Sequence, residues 1–182
     1  MTYLAILTAI VFVLQLIGGG FKIGVFSFTF VLVPIVIGAA LCGVFAGAWL
    51  GLVFGIAVFV TGDAALFLEF HVVGTIVTVI AKGTLAGLAA GAAYKCFEGV
   101  NRYIAVFVAA VVCPLVNSGI FFLGGITFFL ESIEAYFEVP SGPIFIITGL
   151  IGINFFVELA INVVLAPVIL RIINIKKKPQ AR

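Results

Sequence analysis

Six apolar runs separated by short polar joints leave this chain only one kind of solvent. The runs fall at about residues 3–17, 26–41, 44–60, 72–94, 103–123 and 144–175, and about 20 apolar residues in a helix cross a hydrocarbon core roughly 30 Å thick. Lipid offers no partner to a bare peptide group, so runs of this length imply helices. Composition agrees, with 65% hydrophobic and 9% charged residues, against roughly 45–50% and about 25% in soluble domains. The expectation is an all-α membrane protein, a compact bundle of six transmembrane helices forming a single domain over residues 1–182. No separate soluble domain is left to carry an activity.

The joints carry the topology. Only Cys42 and Gly43 separate the second and third runs, which predicts a tight hairpin. The run Thr61-Gly62-Asp63 breaks the pattern, and the stretch to His71 reads as a loop or short interfacial helix. Residues 127–143, with Glu131, Glu134 and Glu138, read as an amphipathic connection, and the sixth run exceeds one crossing, so it should tilt or protrude. The first run has no Lys or Arg before it, which argues for a retained span over a secretory signal.

Short loops rich in Lys and Arg stay in the cytoplasm. Threading six spans puts Lys95, Arg102, Arg171 and Lys176 to Lys178 on one side, with both termini. That side is predicted to be cytoplasmic. The other receives Lys22, Asp63, Glu69, His71 and the three glutamates. Three cysteines, Cys42, Cys96 and Cys113, form no CxxC or His-rich spacing, so neither disulfide framework, metal site nor cofactor is expected.

Small residues recur at four-residue intervals, Gly43, Gly47, Gly51 and Gly55 in the third span and Gly83, Gly87 and Gly91 in the fourth. Helices in lipid associate by close backbone approach, so these mark packing faces.

Polar groups inside lipid are expensive, about 2.5–3.5 kcal/mol for a central charge on insertion scales, and so point to function. Lys82 lies roughly 16 Å into the fourth span and Glu158 roughly 21 Å into the sixth, at 1.5 Å per residue. Both depths are near the midplane. Thr75, Thr78 and Lys82 share one helical face, as do Asn154, Glu158 and Asn162. Asn117 follows Pro114 in the fifth span at a similar depth. A pocket lined by spans four to six and opening outward accounts for all of them. Lys82 and Glu158 then form a buried ion pair, or bind a ligand's acid and its hydroxyl or amine, and the two readings are compatible. His71 reads as an interfacial residue, Trp49 as a poor stacking platform, and Phe21, Phe26 and Phe28 are placed to cover a ligand.

With six spans in about 180 residues, a Gly/Ala-rich middle, the stretch GAWLGLVFG at residues 47–55 and AxxxA at Ala5 and Ala9, the whole chain resembles the substrate-binding subunit (S component) of an energy-coupling factor (ECF) vitamin transporter. The resemblance implies a bacterial plasma-membrane subunit that captures a vitamin-like micronutrient with the first loop and helices four to six. It implies docking through Ala5 and Ala9 onto a transmembrane coupling subunit driven by two cytosolic ATPases. No Walker A pattern is present, so ATP hydrolysis belongs to partners and the chain is not an enzyme. Lys82 with Asn117, Asn154 and Glu158 leans toward a small polar acid, pantothenate first. The alternative is a stand-alone secondary transporter or channel that uses Lys82 and Glu158 for proton coupling. No nucleic-acid partner is expected.

Overall fold

Gly47 faces Gly87, Gly51 faces Gly83 and Gly55 faces the Val79 carbonyl, so a helix over Val44–Val60 (α3) runs antiparallel to one over Val72–Glu98 (α5) with backbone against backbone. A Cβ on Gly51 or Gly47 would land on the opposite helix's carbonyl oxygen. The two predicted small-residue faces thus pack on each other, and this is the most extensive helix pair. Close approach replaces the hydrophobic drive that lipid cannot supply.

A computed structural model describes residues 2–18, 22–23, 26–27, 30–138 and 141–177. After α1 (Thr2–Gly18), Lys22–Ile23 (β1) pairs antiparallel with Phe26–Ser27 (β2). Then come α2 (Leu32–Cys42), α3, α4 (Ala65–Phe70) and α5. Next are α6 (Arg102–Gly124), a π-helical turn over Gly125–Phe129 and α7 (Leu130–Phe137). The chain ends with α8 (Gly142–Phe145), a second π-helical turn over Ile146–Gly152 and α9 (Ile153–Lys177).

Among the described residues, three helical stretches are long and apolar enough to cross a membrane: Val72–Glu98, Arg102–Phe137 and Gly142–Ile175. Thr2–Gly18, Leu32–Cys42 and Val44–Val60 are shorter apolar helices. The second expected run is cut back at its start. Phe26 and Ser27 lie in β2, and the helix begins only at Leu32. The remaining α2 has 11 residues, about 16 Å of helix, or half a bilayer core. It survives by burial: Leu32, Ile35 and Val36 are fully enclosed, and α2 packs on α1, α3, α5, α6 and α9. The hairpin to α3 turns on Gly43 at φ 100°, a conformation that glycine adopts without a Cβ penalty.

The expected connection at 127–143 is mostly helix, because α6 passes through its π turn directly into α7. Glu134 then closes the α7–α8 corner by accepting from the Gly142 N–H at 2.8 Å. Two apolar clusters result. A main core is built on α1, α2, α3, α5, α6 and α9; a second cluster is centred on Phe129, Ile133, Ile146 and Leu150, with Phe67 and Phe121 against it.

Candidate functional site

Polar side chains converge where the two apolar clusters meet. The cavity there encloses about 100 Å³, several times the roughly 10–15 Å³ needed by one water. Its walls are Phe54 and Val58 of α3, Phe67 of α4, Val79 of α5, Phe121 of α6, and Leu150 and Ile151 of the second π turn. Its polar groups are Gln15 of α1, Asp63 of the α3–α4 turn, Lys82 of α5, Asn117 and Ser118 of α6, and Asn154 and Glu158 of α9.

Lys82 sits one residue before Gly83, so the close α3–α5 approach fixes its backbone. Its ammonium lies 5.1 Å from the Phe121 ring centre and 5.8 Å from that of Phe54, within cation–π range of both. The carboxylates of Glu158 and Asp63 both act on it electrostatically. Glu158 is 3% exposed and Asn117 5%. The side-chain oxygens of Asn117 and Asn154 are buried with no hydrogen-bond partner among the described residues. Such groups cost about 1–3 kcal/mol each if left unmet, so they favour a polar occupant.

Of the predicted site residues, Lys82, Asn117, Asn154 and Glu158 meet at this cavity. Thr75 and Thr78 do not line it. The Thr75 hydroxyl lies within hydrogen-bonding distance of the carbonyls of Phe67 (2.6 Å) and His71 (2.9 Å), tying α4 to the start of α5. Thr78 packs against Gly124 of α6, where a Cβ would have no room. Thr75 and Lys82 share a face but stand about 10 Å apart along the helix axis, so the face is longer than the pocket. Asn162 donates to the Glu158 backbone carbonyl at 2.9 Å, an interaction internal to α9. His71 caps α5, its Nδ1 accepting from Gly74 at 2.8 Å. Trp49 donates to Thr8 at 3.2 Å and joins α3 to α1. The side chains of Phe21, Phe26 and Phe28 lie outside the described residues.

Sequence reasoning missed Gln15 and Asp63. Gln15 is 1% exposed; its Nε2 donates to Asp63 Oδ2 at 2.6 Å, and the Thr61 hydroxyl donates to the same oxygen at 2.9 Å. A glutamine inside an otherwise apolar run was the available signal. Asp63, read as one charge of an outer face, lies in the turn just past α3, and the turn brings it back over the cavity. Phe54 and Phe121 carried no signal among 20 phenylalanines.

Among the described residues, an apolar helical bundle thus gathers one lysine, two carboxylates and two asparagines around one small cavity. The chain matches the family of ECF transporter substrate-specific components over residues 1–170 and belongs to it. Neither the curated proteins nor the solved structures compared with the chain gave a match. Membership makes it a substrate-capturing transport subunit of an ECF transporter, a membrane protein and not an enzyme.

Proposed function

We propose that the cavity between the two apolar clusters is the closed form of the cargo site, which widens from about 100 Å³ toward the roughly 300 Å³ or more of a ligand pocket to take a vitamin-sized polar acid, with pantothenate the first candidate. The observation that carries this reading is the convergence of Lys82, Asn117, Asn154 and Glu158 from three helices on one enclosed space. Lys82 takes the cargo carboxylate. The oxygens of Asn117, Asn154, Asp63, Glu158 and Gln15 form an acceptor-rich remainder, suited to hydroxyl and N–H donors. Pantothenate presents both kinds of group. Phe54, Phe67 and Phe121 exclude water, which strengthens each of these contacts.

In the full assembly six helices embed the chain in a bacterial plasma membrane with both termini cytoplasmic. Ala5 and Ala9, exposed on the outer face of α1, dock on a transmembrane coupling subunit that two cytosolic ATPases drive. A stand-alone transporter would import without these partners, so uptake by the chain alone would favour the Lys82/Glu158 proton-coupling alternative.

Calorimetry on the purified protein tests the cargo with pantothenate and panthenol, in which a CH2OH replaces the carboxylate. Tight pantothenate binding, with panthenol weaker by about 30-fold or more, is expected from a charge-assisted contact of about 2–5 kcal/mol. Equal binding would remove the carboxylate from Lys82. Failure of a full panel of vitamins to bind would overturn the cargo-site reading.

A further inference from the structure

A second concave site lies on the lipid-facing side of the bundle, between the first turns of α6 and the later turns of α9. Its walls are Tyr103, Ile104 and Phe107 on α6 and Ala166, Pro167 and Leu170 on α9, and its volume of about 380 Å³ exceeds that of the central cavity. The sequence explains the hollow. Pro167 lacks an N–H, so the Val163 carbonyl loses its helical donor, and Ala166 beside it presents almost no side chain. Across the gap, Tyr103 and Phe107 stand out from α6 at 69% and 50% exposure.

Two exposed arginines are the chain neighbours of residues that line this apolar slot. Arg102 immediately precedes Tyr103 and Arg171 immediately follows Leu170, and both are exposed. The positive end of the α6 dipole lies at the same place, with Asn101 capping the helix through the Tyr103 N–H at 2.8 Å. Exposed Lys95 belongs to the same end of the bundle, where Glu98 is the neighbouring acid and is held in an interaction of its own.

We infer that this groove binds an anionic phospholipid, with one acyl chain in the slot and the headgroup phosphate on Arg102 and Arg171. The charge complementarity selects the occupant. A zwitterionic lipid fills the slot but brings a cationic group toward two guanidiniums, and a water-soluble anion has no use for the apolar walls. Guanidinium forks match phosphate geometry. Basic pockets between membrane helices recognise anionic headgroups in this way. The site is separate from the central cavity and stands whether or not the cargo reading holds.

The test is native mass spectrometry of the purified protein, loaded in mild detergent with equal amounts of phosphatidylglycerol and phosphatidylcholine bearing the same acyl chains. Wild type should retain phosphatidylglycerol preferentially. Each arginine contributes about five-fold to that preference, so R102Q/R171Q should bring it down to near parity. Ile104→Trp, which fills the slot and leaves both charges, should also lower retention. Equal retention by wild type would overturn the proposal and return the groove to a protein partner. A preference that persists in R102Q/R171Q would overturn it in favour of the tail lysines. If Ile104→Trp leaves retention unchanged, the slot holds no acyl chain and the proposal fails.

Discussion

The Gln15 amide donates to the Asp63 carboxylate at 2.6 Å, so the helix that carries the exposed Ala5 and Ala9 also reaches into the cavity. Gln15→Leu removes this buried donor and should cost about 1–3 kcal/mol of stability. Gln15→Glu should cost more, because it sets a second carboxylate against Asp63 where little water screens them. Thermal unfolding followed by Trp49 fluorescence measures both. Equal midpoints for the two variants would mean that the Gln15–Asp63 contact is spent outside the cavity's electrostatics.

Lys82 answers to two carboxylates, and that makes its replacement informative. Lys82→Met should lower cargo affinity about 100-fold or more, the scale of truncating one partner of a buried charge pair. It should also destabilise the bundle, since Glu158 and Asp63 lose the cation that acts on both. Adding Glu158→Gln should recover much of the stability and none of the affinity. Calorimetry and thermal unfolding on the single and double variants separate the two effects. Recovery of binding in the double variant would assign Lys82 a structural role alone.

Helix periodicity and the cost of a charge in lipid were enough to single out Lys82, Asn117, Asn154 and Glu158, which line one cavity, because such residues have few reasons to be in an apolar run. The small-residue faces of α3 and α5 were legible for the same reason. Gln15 was visible as a polar group in an apolar run, but Asp63 was not, since the path of the turn after α3 decides where it points. The half-length α2 was hidden as well. Its apolar residues suit a crossing and a buried hub equally, and only the packing of five neighbouring helices tells them apart. The two π turns meet where Gly125 lies against Ile146, a contact between distant residues that no periodicity encodes.

Thr75 separates a buried polar residue that binds from one that braces. Its hydroxyl is committed to the Phe67 and His71 carbonyls, so Thr75→Val should cost about 0.5–1.5 kcal/mol and leave cargo affinity within two-fold, on the order of the small effects expected at independent sites. A large loss of affinity at unchanged stability would return Thr75 to the binding site.

Two glycines test the α3–α5 interface. Gly51→Ala drives a methyl into the Gly83 carbonyl, and overpacking of this kind costs about 1–3 kcal/mol. Gly119 of α6 has open space around its Cβ position, so Gly119→Ala should be neutral or should stabilise its helix by about 0.5–1 kcal/mol. The detergent thermal-shift midpoint should therefore fall for Gly51→Ala and hold or rise for Gly119→Ala. Similar midpoints would mean that α3 and α5 part easily at Gly51.

Substitutions on the exposed face of α1 test whether docking and capture use different surfaces. Ala5 and Ala9 are exposed one turn apart, while Leu7 and Val11 on the opposite face belong to the core. A tryptophan at either alanine would leave the interior packing and the cavity untouched, but would hold any partner helix away from the α1 backbone. Ala5→Trp and Ala9→Trp should thus bind cargo with wild-type affinity and import it at least ten-fold more slowly, the factor that corresponds to about 1.4 kcal/mol of lost docking free energy. Binding is read on the isolated subunit, and uptake in vesicles that contain the coupling subunit and ATPases. Intact uptake would move the docking surface off α1, and weakened binding would mean that the Gln15 end of the helix passes strain into the cavity.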